Sequence, residues 1–308
     1  MSVDQMTSAI VTVTIFEMMA AIGLEMRLAQ LTPVASNKAL LVRAALANLL
    51  LAPALALAVA LMFRSPPLIA VGLLLGAACP GGPYGGPFAG MAKGNMPIAV
   101  ALSVILAAAS AAFAPLILAV VVPMAAGNER VEVDTPKIVV TLVVTVLIPL
   151  VIGMVVRANW PDLADKLLGP AKRLSVLLNV VMVVAIFAAQ FYLLTSIGAF
   201  GFVAMLVLAV ANLACGWLVG GPTGEDRTTM AFTTAARNVG ASLVIATASF
   251  LSSPALAAAL AFALVQTVAI SAIAAGWGRV LGAAGGARRR ASYSGAPPRN
   301  GGTGHVRS

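Results

Sequence analysis

Charged side chains are scarce in this chain of 308 residues: they make up 9% of it, whereas hydrophobic residues make up 61%. Soluble domains carry about 25% charged residues, so a surface that faces water throughout is excluded, and lipid is the expected solvent. Helices are the expected spanning form because every backbone polar group must be satisfied inside hydrocarbon. The apolar runs are about 20 residues long and lack the alternation of barrel strands. We therefore predict an all-α membrane protein.

Residues that could carry chemistry are also few. The one histidine, His305, lies near the C-terminus, and the two cysteines, Cys79 and Cys215, lie within apolar runs. An enzyme within the membrane would need a nucleophile with its base, or a metal cluster, and the sequence offers neither. We therefore predict no enzyme activity, no metal site and no cofactor, and we interpret the cysteines as packing residues.

The net charge of +9 does not indicate a nucleic-acid partner. The basic residues fall in the predicted loops and in the C-terminal stretch, where membrane topology favours them. The start of the chain, Met1 to Gln5, is not basic, and the apolar run that follows is long enough to stay in the membrane, so no signal peptide is predicted. Membrane lipid and a small solute are the expected partners.

Hydrophobic segments divide most of the chain. Nine are predicted to cross the membrane, at residues 6–28, 40–63, 68–91, 97–122, 138–156, 174–194, 200–219, 228–251 and 254–281. Residues 1–282 thus form one predicted transmembrane domain. Residues 283–308 are rich in Gly, Arg, Ser and Pro, a composition typical of disorder, and we predict a disordered basic cytoplasmic tail.

Lysine and arginine positions set the expected orientation. Counted with the adjoining segment ends, fifteen of these 19 residues fall in the tail and in one set of alternate loops, and three fall in the other set, while Arg237 lies in the middle of a segment. This bias places the C-terminus in the cytoplasm and, with nine spans, the N-terminus outside. The compact, alanine-rich chain favours a bacterial plasma (inner) membrane.

The third segment is not expected to be a continuous helix. Residues 79–87 read Cys-Pro-Gly-Gly-Pro-Tyr-Gly-Gly-Pro, and such a density of proline and glycine breaks a helix. Unwound backbone at membrane depth is tolerated only where it is buried in protein or lines a wet cavity. We therefore predict two half-helices that meet near mid-membrane and present free N–H and C=O groups. The alternative is a Gly/Pro loop outside the membrane between two short helices.

The eighth segment carries a cation in its middle. Arg237, Asn238 and Gly240 follow a threonine-rich stretch that begins after Arg227. An arginine at membrane depth is costly and is by default a functional hypothesis; the alternative is that it reaches the interface from a helix end. Interrupted helices in both halves of a chain, each flanked by long helices, are typical of secondary transporters with an inverted repeat and a site at the crossing.

Both breaks resemble those of the bile acid:sodium symporter family. The likeness covers about residues 16–281, is strongest at Cys79-Pro80-Gly81-Gly82, continues at residues 92–95, 101–103 and 227–238, and is weaker at residues 19–24. The resemblance implies a core domain that holds two crossed discontinuous helices and a panel domain beside it. Transport would follow from relative motion of the two domains.

The sodium ligands that this resemblance implies are largely replaced. The family's Ser-Asn pair corresponds to Gly85 and Gly86, its Glu and Gln to Thr233 and Arg237, and a further Gln to Asn48. Because sodium needs several oxygen ligands and a guanidinium would repel it, we expect sodium coupling to be lost or much weakened. The predicted substrate- and ion-binding residues are Asn48, Gly82, Gly85, Gly86, Ser103, Thr233, Thr234, Arg237 and Asn238.

Arg237 and Glu17 each leave two interpretations open. Arg237 either supplies the positive charge that sodium would otherwise provide and holds the crossing together, or contacts an anionic substrate directly. Glu17, near the middle of the first span, is either a proton-coupling carboxylate or a carboxyl beside a wet cavity with no coupling role.

The predicted function is alternating-access transport of a small organic anion, either a carboxylate or a sulfonate. Two alternatives remain open. One is a proton-coupled or uncoupled facilitator of the same fold. The other is a membrane scaffold or sensor that transports nothing.

Overall fold

The computed structural model describes residues 3–126, 131 and 133–294, with side chains for residues 5–126, 131 and 133–280. This part of the chain is almost entirely helical and contains no β-strand, so the all-α prediction is confirmed. In chain order the helices are α1 (Val3–Glu25), α2 (Leu28–Ser36), α3 (Lys38–Ala45), α4 (Ala52–Met62), α5 (Pro67–Ala78), α6 (Gly85–Met91), α7 (Met96–Ala126), α8 (Thr135–Leu142), α9 (Ile148–Asn159), α10 (Pro161–Thr195), α11 (Gly198–Val219), α12 (Gly224–Ala235), α13 (Val239–Ser249) and α14 (Pro254–Ser294).

Within the described residues, seven stretches are long and apolar enough to cross a membrane: α1, α3 with α4, α7, α8 with α9, α10, α11 and α14. They coincide with seven of the nine predicted segments. The other two predicted segments, 68–91 and 228–251, are each divided. The pair α5–α6 takes the place of the first and the pair α12–α13 that of the second, so both predicted breaks are present.

Two of the long helices contain a π-helical turn, Leu46–Leu51 between α3 and α4 and Val143–Leu147 between α8 and α9. In each case a proline, Pro53 or Pro149, is the second residue of the helix that follows. Proline has no N–H to donate to the preceding turn, and a widened turn accommodates the missing bond. The first π-helical turn matters for the site because it holds the buried side chain of Asn48.

Helices α1, α9 and α10 form one side of the molecule, in which α1 packs along both others. Two glycines bring α1 and α9 into backbone contact: a Cβ on Gly23 would lie 2.9 Å from the Cα of Gly153. Small residues allow such close packing between membrane helices. Arg157 at the end of α9 joins the three helices, because its Nε donates to the carbonyl of Leu24 and its Nη1 lies 2.5 Å from Asp165 of α10.

The other side of the molecule surrounds the half-helices. Every residue from Ile69 to Ala78 in α5 is buried, which explains why this helix is apolar all round. Glycines bring α5 against α14: a Cβ on Gly72 would lie 2.6 Å from the Cβ of Ala258, and Gly76 packs on the ring of Phe262. A half-helix in the interior is thus enclosed by protein and needs no polar face.

Two stretches interpreted as loops are helical. Helix α2 occupies residues 28–36 despite Pro33 inside it. Helix α10 begins at Pro161 and not at residue 174, so its charged residues, including Lys172, lie on the helix. Proline suits the first helical position, which explains the start of α10 at Pro161. Charged residues end the apolar stretch from which the segment was predicted, but they do not end the helix. Helix α14 runs to Ser294, and residues 295–308 lie outside the described part, so disorder of the tail stays a prediction.

Candidate functional site

The two breaks meet in the interior of the protein. The backbone N–H of Gly82 donates to the carbonyl of Ala236 at 3.1 Å, and that of Asn238 donates to the carbonyl of Cys79 at 2.8 Å. This reciprocal pair satisfies groups that the half-helices leave free, as buried backbone requires. The structure therefore brings together the two breaks that the sequence predicts.

Glycine is required where the breaks touch. Gly81 has a φ of +80°, a conformation that glycine adopts without steric cost. A Cβ on Gly82 would lie 2.6 Å from the carbonyl oxygen of Ala236, and that oxygen accepts the hydrogen bond from the N–H of Gly82. The Pro-Gly-Gly run therefore permits both the turn and the close approach.

Arg237 fills the space where the carboxyl ends of α5 and α12 converge, and it is only 1% exposed. Its Nη1 donates to the Oδ1 of Asn48 at 2.8 Å and to the carbonyl of Thr234 at 3.3 Å. Its Nη2 donates to the carbonyl of Asn48 at 3.2 Å and to that of Ala77, and its Nε lies 3.5 Å from the carbonyl of Gly76. Five oxygens thus match the five N–H donors of a guanidinium.

These oxygens all belong to uncharged groups. No carboxylate in the described part of the chain forms an ion pair with Arg237. Carbonyls at the carboxyl end of a helix carry the partial negative charge of the helix dipole, and two such ends face this guanidinium. The positive charge at the crossing is therefore that of the chain's own guanidinium.

Asn48 is oriented for this contact by two further bonds. Its Nδ2 donates to the carbonyl of Ala44 at 3.0 Å and to the Oγ1 of Thr234 at 3.2 Å, which leaves its Oδ1 free for the guanidinium. Three predicted site residues, Asn48, Thr234 and Arg237, therefore form one buried hydrogen-bonded cluster.

A second group of predicted residues gathers where α6, α7 and α12 meet. A Cβ on Gly85 would lie 2.8 Å from the Oγ of Ser103 and 3.4 Å from the Cα of Thr233. The Oγ of Ser103 is buried with no hydrogen-bond partner, and that of Thr233 donates to the carbonyl of Thr229 at 2.8 Å. The described residues contain no cluster of His, Cys, Asp or Glu that would hold a metal ion.

Two predicted residues have mainly structural contacts. Asn238 begins α13 as its N-cap, with its Oδ1 accepting from the N–H of Ala241 at 3.1 Å, while its Nδ2 is buried and has no partner. Gly86 packs against the side chain of Val100, which leaves no room for a Cβ. The asparagine that the resemblance implies at this second position of the Ser-Asn pair would therefore need a different local packing.

A cavity of about 300 Å³ lies between the α1–α9–α10 side and the first break. Apolar side chains of α1 and α7 and the prolines of the first break form most of its wall. Its polar side chains are Glu25, Tyr84, Ser103, Lys172 and Ser175. Ser103 is the one predicted binding residue in this wall, and Arg237 is not part of it.

A smaller cavity of about 100 Å³ adjoins the first, and Met18, Pro83 and Tyr84 line both. The start of α13 at Gly240 forms part of its wall. The Nδ2 of Asn179 lies 3.5 Å from the Sδ of Met18 and 3.5 Å from the Oη of Tyr84. A thin layer of side chains therefore separates the two cavities.

The polar face of α10 was not predicted from the sequence. Lys172, Ser175 and Asn179 have the spacing of one helix face, and all three line a cavity. That spacing is visible in the sequence, but it extends across the predicted start of a segment identified by hydrophobicity alone. Glu17 lies beside this face: its Oε2 accepts from the Oγ of Ser175 at 2.7 Å, and its Oε1 is buried with no partner.

Residues 12–197 match the sodium bile acid symporter family. The chain belongs to this family. The predicted membership of this family is thus confirmed, and the family is one of membrane transporters and not of enzymes. A relative from Oryza sativa subsp. japonica, named "Probable sodium/metabolite cotransporter BASS2, chloroplastic", is 27% identical over 174 residues, which is 56% of this chain and 40% of the relative. The chain therefore spans about two fifths of the relative's length.

The family match includes the first break but ends before the second. Glu17, Asn48 and Ser103 lie inside the matched residues, whereas Thr233 and Arg237 lie outside them. The role of the second break therefore rests on the likeness of its own residues and on its contacts with the first.

Proposed function

We propose that this protein is a secondary transporter that carries a small organic anion, a carboxylate or a sulfonate, by alternating access. The cavity of about 300 Å³ is the proposed binding cleft. Its mostly apolar wall with a few polar side chains is typical of sites for small ligands. The α1–α9–α10 side acts as the panel and the rest as the core. Relative motion of the two opens the cleft first to one face of the membrane and then to the other.

The proposed topology is an inverted repeat with nine crossings. The pair α5–α6 lies between the long stretch that ends with α4 and the long helix α7, and α12–α13 lies between α11 and α14. The reciprocal hydrogen bonds between the breaks support a site at their crossing. The bias of basic residues supports an N-terminus outside and a C-terminus in the cytoplasm, and we infer a bacterial plasma membrane from the compact, alanine-rich chain.

Sodium does not drive this transporter in our proposal, because Arg237 already occupies the cation position. The observation that carries the proposal is the match of five neutral oxygens to the five donors of a buried guanidinium. Two unit positive charges 4 Å apart repel each other by about 4 kcal/mol at an effective dielectric constant of about 20. A few neutral oxygens such as that of Ser103 do not offset such a cost.

The same contacts favour a structural role for Arg237 over direct contact with substrate. All of its donors are engaged within the crossing, and its side chain does not reach the cleft wall. An anion would have to displace backbone carbonyls to bind it. Arg237 therefore contributes positive potential near the cleft while the substrate binds elsewhere.

The first test is the melting temperature of the purified protein in sodium, potassium and choline salts, with and without a panel of carboxylates and sulfonates. A ligand of the folded state raises stability by RT ln(1 + [L]/Kd). We expect equal curves in the three salts and a concentration-dependent shift with one class of anion. Specific stabilisation by sodium over potassium would overturn the proposal.

Uptake into proteoliposomes distinguishes the remaining alternatives. A coupled transporter accumulates the stabilising anion against its gradient, an uncoupled facilitator only equilibrates it, and a scaffold or sensor takes up none. Uptake that matches protein-free liposomes would therefore contradict a transport function.

A further inference from the structure

Two carboxylates on α1 face α10, and their partners differ. Glu25, at the end of α1, forms an ion pair with Lys172 at 2.6 Å. Glu17, about two turns earlier in the helix, receives one hydrogen bond, from the Oγ of Ser175 at 2.7 Å. Its Oε1 is buried with no partner. Ser175 lines the cleft, so Glu17 is a carboxyl that contacts the cleft through a hydroxyl.

In the described residues no charged side chain forms an ion pair with Glu17. Three charged residues of α10 are exposed and project from the face roughly opposite Ser175: Asp162, Lys166 and Arg173. Lys172 of α10 is held in its ion pair, and Arg157 of α9 is paired with Asp165. The other elements that pack on α1 are α13 and the π-helical turn Val143–Leu147, and neither carries a charged side chain. An ionised group away from water is costly without a counter-ion. Binding a proton would remove this cost for Glu17, whereas Lys172 already neutralises the charge of Glu25.

Glu17 also has a distinctive place along the chain. Among the described acidic residues it lies farthest from either end of its helix. Acidic residues inside spanning helices are typical of proton pathways. A chain in which a fixed guanidinium stands at the proposed sodium position needs a different ion if its transport is to be driven.

We propose that Glu17 is a proton-binding site that couples anion transport to a proton gradient, with the Ser175 hydroxyl as its contact with the cleft. This inference rests on the proposed function and names its driving ion. The ionised carboxylate repels an anion in the cleft, and a bound proton removes that repulsion. The protonated carboxyl then donates to Ser175, which frees the serine O–H to face the anion. One proton and one anion cross together and move no net charge.

The deciding experiment is an infrared titration of the full chain in lipid nanodiscs. A protonated carboxyl has its own C=O absorption, which Glu17→Gln removes. The matched control is Asp162→Asn, which removes an exposed carboxyl in the first turn of α10. We expect a band that grows on acidification in the wild type and in the control but not in Glu17→Gln. A Glu17 that stays ionised, or stays protonated, over the whole pH range in which the protein is folded overturns the inference.

The second measurement tests coupling with benzenesulfonate, whose own charge does not change in this range. One linked proton changes the apparent affinity by at most about tenfold per pH unit. We expect the wild type to approach that slope, Glu17→Gln to show none, and Ser175→Ala to keep the infrared band with a smaller slope, because only the contribution of the hydroxyl is lost. A wild type that binds benzenesulfonate equally at all pH values overturns the coupling.

The two proposals fail in different ways. Sodium-independent binding of benzenesulfonate with a Glu17 that does not titrate leaves the proposed function standing and removes this inference alone. A titrating Glu17 in a protein that binds neither benzenesulfonate nor any other anion at any pH removes the proposed function, and the coupling with it.

Discussion

Arg237 and Asn48 are 189 positions apart in sequence and form a buried hydrogen bond of 2.8 Å between Nη1 and Oδ1. The backbone carbonyl of Asn48 accepts a second bond, from Nη2 at 3.2 Å. One residue in a π-helical turn thus binds the guanidinium through its side chain and its backbone. This contact ties the helix before the first break to the second break, and it makes the charge of Arg237 part of the architecture.

Asn48→Ala should lower the free energy of unfolding by about 1–3 kcal/mol, the usual cost of leaving a buried polar group without its partner. Nη1 would lose its shortest hydrogen bond in a site that is closed to water. Thermal or denaturant unfolding in detergent measures the change. The control is Asn159→Ala, an exposed amide that bonds the carbonyl of Val155 and should change stability by less than about 0.5 kcal/mol. Equal losses in the two variants would show that Arg237 does not depend on Asn48.

A sodium response should arise when Thr233→Glu is combined with Arg237→Gln. The pair of changes introduces the acid and the amide that the family resemblance implies, removes the fixed cation and releases the carbonyl of Ala77 as a ligand. At ten times its Kd, sodium would stabilise this variant by about 1.4 kcal/mol, whereas potassium would not. Melting curves in matched sodium and potassium salts measure the difference.

Two comparisons make this sodium experiment decisive. Arg237→Gln alone removes the cation but adds no acid, so it should be less stable than the wild type and respond to sodium less than the double variant. A wild type that responds to sodium as strongly as the double variant would contradict the assignment of Arg237 as the built-in cation.

Gly82→Ala should disrupt the crossing, because the added methyl would lie 2.6 Å from the carbonyl oxygen of Ala236. Overpacking of this kind costs about 1–3 kcal/mol, and anion uptake should fall as the breaks separate. The control is Gly276→Ala, since nothing lies within 4 Å of a Cβ at that position of α14. There alanine should stabilise the helix by up to about 1 kcal/mol. Equal melting temperatures for the two variants would argue against close contact at the crossing.

The first break was predictable from sequence because its cause is local. No helix accommodates the prolines and glycines of residues 79–87, wherever they lie in a fold. The contacts of Arg237 had no such local signal. Asn48 was identified through a family resemblance, and the contact with the carbonyl of Ala77 depends on where α5 ends relative to α12. That relation is fixed by packing across more than a hundred residues, which no local pattern encodes.

The cleft was the least predictable part for the same reason. The polar spacing of Ser175 and Asn179 on α10 was visible, but its meaning depends on α1 packing against that face. The predicted start of the segment at residue 174 also hid the turn that contains Lys172, because hydrophobicity reports the apolar stretch and not the extent of the helix. Glu17 was identified from its depth in a span, whereas its partner emerged only from the packing.

The final prediction concerns the sides of the membrane on which the two ends of the divided pair α5–α6 lie. Arg64 and Lys93 are exposed and flank the divided pair α5–α6. If the pair crosses the membrane, the two positions lie on opposite sides. The native thiols Cys79 and Cys215 are buried, so a cysteine placed at either position should account for the labelling. A membrane-impermeant maleimide added to intact cells should label Arg64→Cys, and should label Lys93→Cys only after the membrane is opened.

The same labelling at a third position separates crossing from a loop outside the membrane. Asp162 is exposed and lies beyond both α7 and the α8–α9 stretch. With a crossing break, Asp162→Cys should behave like Lys93→Cys and be protected in intact cells. If the break returned to the side from which it came, both cysteines would label from outside. The strong bias of lysine and arginine toward one set of loops would then fall on the wrong face of the membrane, so this outcome would overturn the nine-span topology and the crossing site built on it.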